Sequence, residues 1–439
     1  MSQARPAGPD GERRPSGRAP APAGGLGTRG LVTFYVTSLI GAGLLGVPSV
    51  TAAIAGPASL LAWAALAVAS YPIARLFAEM SARHVDCSGL SALIRSGFGR
   101  HAGDTANILL VLVYMAGNPV MGVISARYFC HLTGLGDGWT MYVAAGFMTL
   151  SVAFNAMGLA LGARIQQAAL VLLLLCLAAA VVLAVPSMSA SRLTPFAPHG
   201  WQAVGTSAVI AFFSFLGWEN VSAVAEEVRD PARSFRRAIR YAVPVVGLVY
   251  MVVAGAYLLV PHPEGTMVLS ALLGARDSGV GAAAGDLVAL VIVVTATNSW
   301  VLGASRLTLA ATRQGLLPAA LGRVGRRTGV PARVLLTLGA GYVAVLTVLG
   351  RFGVEEDRLV AFTSAVFLIL YIASAAAAVR DRPTRAMRAS ALVTGALAVF
   401  FLLFTGTALL LALLLVLSVV PATARRRSPD RLISNEEVT

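Results

Sequence analysis

Leu31-Val32-Thr33-Phe34-Tyr35-Val36-Thr37-Ser38-Leu39-Ile40-Gly41-Ala42-Gly43-Leu44-Leu45-Gly46-Val47-Pro48 opens an apolar stretch, 31–55, that is long enough to cross a bilayer. Its middle is broken by Gly41-Ala42-Gly43-Leu44-Leu45-Gly46 and then by Pro48. A second stretch, 201–225, carries a matching interruption, Ser214-Phe215-Leu216-Gly217-Trp218-Glu219-Asn220. A helix inside a membrane gives up backbone hydrogen bonds only where packed protein, a water-filled cavity, an ion or a solute satisfies them. Two interrupted helices in corresponding positions of two halves point to the binding site of a secondary transporter.

The rest of the chain is of the same kind. Of its 439 residues 57% are apolar and 12% charged, against roughly 25% charged in soluble domains, and the mean hydropathy is +0.77. A span takes about 20 mostly apolar residues. On that measure twelve fit, at 31–55, 57–80, 105–131, 139–158, 163–186, 201–225, 239–261, 284–312, 333–350, 358–379, 389–404 and 406–423. The last two are short and nearly fused, and one long hairpin or a single tilted span is the alternative there.

The net charge is +14, and all 34 basic residues are arginine. With the N-terminus inside, every arginine except Arg127, Arg192, Arg276, Arg351 and Arg358 falls on the cytoplasmic side. That satisfies the positive-inside rule with both termini cytoplasmic. The charge is therefore topological and implies no nucleic-acid partner. Arginine without lysine, together with abundant alanine, hints at a high-G+C bacterium, hence a bacterial plasma membrane. Residues 1–28, rich in Pro, Gly, Ala and Arg, read as a disordered cytoplasmic tail. They are not a cleavable leader, because the stretch that follows has span length. Cys87, Cys130 and Cys176 are scattered and give neither a disulfide framework nor metal-ligand spacing.

The expected architecture is an all-α polytopic membrane protein of about twelve helices. Spans 1–5 (29–188) and 6–10 (189–380) form two units, each opening with a broken span. Five is odd, so the units insert with opposite topology as a 5+5 inverted repeat. Helices 11 and 12 (381–423) and a cytoplasmic tail (424–439) follow. Between spans 2 and 3, Ser88-Gly89-Leu90-Ser91-Ala92-Leu93-Ile94-Arg95 reads as a short amphipathic helix at the membrane interface.

Gly41-Ala42-Gly43-Leu44-Leu45-Gly46 fits G-x-G-x-x-G, but no strand precedes it and the surrounding stretch is uncharged, so it is not a dinucleotide fingerprint. One reading is close helix packing through small residues. The other is a new helix N-terminus whose free N–H groups and partial positive charge favour an anion such as a carboxylate. Glu219 is the only acid deep in any span by these boundaries. A central charge costs about 2.5–3.5 kcal/mol on insertion scales, so it reads as a coupling or gating residue, or as a carboxylate capping freed N–H groups. Tyr114, Met115 and Asn118 on span 3 and Asn298 and Ser299 on span 8 sit at plausible site depth, although interhelical hydrogen bonds and packing explain such residues equally well.

Together with the F-S-F-L-G-W-E segment at 213–219, the loop E-E-V-R-D-P-A-R at 226–233 and the run S-R-L, R-Q-G-L-L-P and L-G-R-V after span 8, the first break resembles the amino acid–polyamine–organocation superfamily. The resemblance covers roughly 30–425, and its nearest subgroup is the short bacterial exporters of methionine and branched-chain amino acids. It implies a LeuT-like fold. It also implies that Gly41, Ala42, Gly43 and Leu44 grip a substrate carboxylate, with freed carbonyls at Ile40, Phe213 and Ser214 receiving the ammonium, Leu216 completing the segment and the Phe213 ring acting as a gate. Spans 1, 2, 6 and 7 would rock against spans 3, 4, 8 and 9. The implied activity is proton-linked export or exchange of neutral amino acids, with sodium as the alternative ion and no cofactor. Uptake of another amino acid or a polyamine, or amino acid sensing without transport, are the other readings. The expected partners are an amino acid and the lipid bilayer, with the chain a monomer or homodimer. His84, His101, His131, His199 and His262 are scattered and no catalytic or metal motif is present, so no enzyme activity is expected.

Overall fold

The computed structural model describes residues 27–83, 89–157, 163–220, 225, 228–275, 279–325, 330–381 and 383–424. The expected N-tail up to residue 26, the C-tail from 425, Cys87 and the Glu226-Glu227 pair lie outside the described residues.

The described chain is all-helical. The first span is two helices, α1 (Thr28–Leu39) and α2 (Ala42–Ala55). There follow α3 (Ser59–Arg83), the short α4 (Leu90–Phe98), α5 (Arg100–Thr133), α6 (Thr140–Ala156) and α7 (Ala163–Ala184). The second half opens with α8 (Gly200–Phe212) and a single 3-10 turn, Phe213–Phe215. It continues with α9 (Pro231–Leu259), the short α10 (Val268–Gly274), α11 (Val280–Arg313), α12 (Ala332–Phe352) and α13 (Glu356–Arg380). The last two helices are α14 (Arg385–Leu402) and α15 (Thr407–Ala424).

Among the described residues 10 helical segments can cross a membrane by length and composition. Within the described residues all twelve expected apolar stretches are helical apart from the two breaks, and the difference in number has a physical cause. The break divides the first span into helices of 12 and 14 residues, and the second runs on through Gly56–Ala58 into α3. The 17-residue α6 reaches only about 26 Å at 1.5 Å per residue. At the C-terminus the chain forms two separate helices of 18 residues, turned at Gly406 with φ 57°.

The two halves pack reciprocally. Helix α3 lies against α9, and α5 against α11. Each half also has a short helix before its third span. Helix α4 packs on α5 and on α13 of the other half, whereas α10 packs on α11 and on α7. The amphipathic segment expected at the membrane surface therefore finds protein: Leu90, Leu93 and Ile94 are buried, and a methyl at Gly97 would lie 2.5 Å from Ala377 Cα. The interior holds Trp63, Trp218 and the tyrosines 35, 128, 250, 342 and 371. Val171, Leu175, Leu410, Leu414 and Leu417 are exposed, the inverse of a soluble protein and the arrangement a lipid environment requires.

Candidate functional site

Helix α1 ends where Ile40 leaves helical geometry, with φ −82° and ψ 106°, its N–H bonded to Val36 O at 2.8 Å. Helix α2 starts at Ala42 with Gly41 as its N-cap and no side chain capping the first turn. In the second break Leu216 is extended and Gly217 has φ 137°, a conformation that favours glycine. A methyl at Gly217 would also lie 3.0 Å from Ser38 O. The two breaks touch: a methyl at Gly43 would sit 2.8 Å from Ser214 Oγ and 3.3 Å from Ser214 Cα. These two glycines are thus fixed by the approach of one broken helix to the other.

Three tyrosines from other helices brace the broken segments, two through backbone carbonyls and one through the Glu219 carboxylate. Tyr250 Oη of α9 lies 2.7 Å from Leu39 O and 2.7 Å from Ser214 O, so its one proton is shared between the last carbonyl of α1 and a carbonyl of the second break. Its ring stacks on Trp63 at 5.2 Å and packs on Phe215 at 4.7 Å. Helix α3 is thereby bound to both breaks and to α9. Tyr128 of α5 donates to Leu45 O at 2.8 Å, near Pro48, which contributes no N–H to α2. Tyr371 of α13 donates to Glu219 Oε2 at 2.6 Å, and the same oxygen accepts the Gly217 N–H at 3.0 Å. Glu219 is 4% exposed and holds the second break from behind.

In front of the breaks lies a cavity of ≈ 90 Å³. Its walls are Thr37–Gly41 and Gly43 of the first break, Phe213, Ser214 and Leu216 of the second, Met121 of α5, Ala169, Leu170 and Leu173 of α7, and Ile292, Thr295, Ala296, Ser299 and Trp300 of α11. Among the described residues no charged side chain lines it. The hydroxyls of Thr37, Thr295 and Ser299 each donate to the carbonyl four residues earlier, leaving them as acceptors toward any ligand. The cavity thus joins uncapped N–H groups at one helix start to an acceptor-rich wall, a pairing suited to a small zwitterion.

Of the residues singled out from sequence, Ile40, Gly41, Gly43, Phe213, Ser214, Leu216 and Ser299 line the cavity. Ala42 begins α2, and its side chain lies outside the described residues. Leu44 is fully buried outside the lining. Tyr114 packs against Trp300 and Phe367 rather than facing the cavity. Met115 fills the space over Gly341. Asn118 donates to Tyr342 Oη at 2.9 Å, and Asn298 Oδ1 accepts from Asn155 at 2.7 Å. Sequence reading passed over the α11 wall, although 292, 295, 296, 299 and 300 recur at helical spacing and extend from Ser299. It also passed over Tyr250, for which no local signal exists.

A larger cavity, ≈ 1100 Å³, lies beyond the other end of the first span, against Ser49, Val50, Ala53 and Ile54 of α2. Arg127 of α5 pairs with the buried Glu356 of α13 there at 3.0 Å. His131 meets the buried Asp286, which also accepts from Ser270 of α10. Glu219 is therefore joined by two further buried acids, because α11 begins as early as Val280 and α13 at Glu356 itself. Among the described residues no group of His, Cys, Asp and Glu could hold a metal ion.

Paired broken helices that meet at a small uncharged cavity within a polytopic helical bundle define a carrier of small solutes. The chain belongs to the amino acid permease family of the amino acid–polyamine–organocation superfamily, whose profile matches residues 26–433. Members are transporters rather than enzymes, so the activity is amino acid transport across a membrane. An uncharacterized amino acid permease of Bacillus subtilis, YecA, is 28% identical over 79% of this chain and 82% of its own length. A probable GABA permease of Pseudomonas aeruginosa is 27% identical over 84% and 81%. The L-methionine/branched-chain amino acid exporter YjeH of Escherichia coli is 25% identical over 93% and 98%.

Proposed function

We propose that the protein exports or exchanges neutral amino acids of the methionine and branched-chain type, linked to the proton gradient. The observation that carries this reading is the absence, among the described residues, of any charged side chain around the cavity where the breaks touch. A polyamine or a basic amino acid calls for a facing carboxylate, and Glu219 is engaged behind the break with Gly217 and Tyr371. An α-amino acid instead has its carboxylate matched by the N–H groups at the start of α2 and its ammonium by carbonyls of the two breaks. Met121, Leu170, Leu173 and Ile292 leave an apolar wall for an aliphatic side chain. The similarity to YjeH along nearly its whole length supports this substrate class.

Both termini are cytoplasmic in this reading, which puts the small cavity on the cytoplasmic side of the breaks and the large one outside. Residues 29–188 and 189–380 form the two repeats. The bundle that rocks contains spans 1, 2, 6 and 7, held together by the Tyr250–Trp63–Phe215 cluster. Glu219 is the group through which the proton acts. Counterflow in proteoliposomes tests the substrate: vesicles preloaded with methionine, leucine, lysine, γ-aminobutyrate or putrescine take up labelled methionine. Acceleration by methionine and leucine alone is expected. Acceleration by γ-aminobutyrate in their place would move the substrate to the ω-amino acids, and none at all with folded protein would refute the assignment.

A further inference from the structure

We propose that the start of α9 is a binding site for an anionic phospholipid of the leaflet in which that helix begins. Arg233, Arg236, Arg237 and Arg240 are exposed and spaced i, i+3, i+4, i+7, which puts them on one side of the helix. The opposite side, with Ser234, Phe235, Ala238 and Ile239, is buried. Among the described residues none of the four arginines makes an ion pair or a side-chain hydrogen bond. They line a recess of ≈ 390 Å³ in which, among the described residues, the one acid is Asp230 at the helix start.

The row does not end with the charges. From Arg237 and Arg240 the exposed side continues through Tyr241 and Pro244 to Val245, Leu248 and Val252. Tyr241 stands where an amphipathic ring meets the headgroup level. Pro244 contributes no N–H to the helix, which leaves the Arg240 carbonyl short of its usual donor at the same level. Arg240 to Val252 spans about 18 Å at 1.5 Å per residue, close to the roughly 15 Å of one leaflet's hydrocarbon. A phosphate gathered by the arginines therefore places its acyl chain along the apolar part of the same row. A free phosphate uses only the first half of this surface. The continuity from charge to tyrosine to apolar stripe selects the lipid.

The test is lipid retention by the purified full chain, read by native mass spectrometry with phosphatidylglycerol or phosphatidylcholine of identical acyl chains. Retention is read without any transport measurement, so its outcome stands whichever solute is carried. Wild-type protein is expected to retain phosphatidylglycerol preferentially. Each arginine is expected to contribute about fivefold, so Arg237→Gln with Arg240→Gln weakens retention about twenty-five-fold. Arg237→Lys with Arg240→Lys keeps the preference, as does the equally neutralised control Arg385→Gln with Arg388→Gln. Should the glutamine pair fail to insert, hydrogen exchange of wild-type protein in nanodiscs reads the same surface, with 233–241 protected by phosphatidylglycerol over phosphatidylcholine. Equal retention of the two lipids, undiminished retention by the glutamine pair, equal exchange in the two nanodiscs, or displacement of the lipid by inorganic phosphate alone overturns the proposal.

Discussion

Replacing Tyr250 with phenylalanine removes one hydroxyl and leaves the rings in place. The contacts with Trp63 at 5.2 Å and Phe215 at 4.7 Å survive, so the packing loss is near zero. Lost is the proton shared by Leu39 O and Ser214 O, each 2.7 Å away and both on buried residues. A buried acceptor left without its partner costs about 1–3 kcal/mol. One proton serves both carbonyls, so the loss is counted once, equivalent to roughly five- to a hundred-and-fifty-fold in an equilibrium constant. The hydroxyl ties the end of α1 to the second break, so the freed segments must be reordered by the substrate. Part of the cost then appears as weaker apparent affinity. The expected result for Tyr250→Phe in counterflow is a half-saturation concentration raised about tenfold, in protein whose gel-filtration profile and unfolding temperature show it folded. An unchanged half-saturation refutes the claim that the hydroxyl positions the site. A lowered one means that it competes with the substrate ammonium for the same carbonyls.

Three further outcomes follow from the same geometry. Gly41→Ala adds a methyl that meets nothing within 4 Å beside the cavity, so thermal stability is expected to hold while transport falls; equal loss of both refutes a substrate-facing Gly41. Gly43→Ala drives a methyl to 2.8 Å from Ser214 Oγ and is expected to cost about 1–3 kcal/mol of stability, partly recovered by Ser214→Gly in a double-mutant cycle; additive effects mean that the breaks do not touch. Glu219→Gln keeps an oxygen to accept from Gly217 and Tyr371 but cannot titrate, so exchange is expected to persist with its pH dependence flattened. A pH profile identical to wild type removes Glu219 from the coupling role.

The legible parts of the sequence were those whose physics is local. Glycine, proline and a run of small residues mark where α1 stops and α2 starts, and length with hydropathy marks the spans. What depends on partners far along the chain was not legible. Tyr250 lies on α9, far in sequence from the α1 carbonyl it binds, and nothing in its neighbours distinguishes it from a lipid-facing tyrosine. Asn118 and Asn298 show the reverse. In sequence, a polar residue facing a cavity and one hydrogen-bonded across helices look the same, and here Tyr342 and Asn155 take them. Asp286 and Glu356 escaped notice because burial of a helix's first turns depends on what packs over them, α10 in one case and Arg127 in the other.

The reciprocal packing of α3 with α9 and α5 with α11 sets a timetable for making this protein. Ribosomes add about 5–20 residues per second, so α5 enters the bilayer roughly 10–40 seconds before α11 is complete. During that interval lipid must cover the faces that protein later covers, which their apolar and small residues permit. Asn107, Asn118, Arg127 and His131 on α5 are among the exceptions, because the groups they meet, Gln314, Tyr342, Glu356 and Asp286, belong to segments not yet synthesised. The newborn first half is therefore a client in waiting, and its polar side chains are where a membrane quality-control system has something to grip.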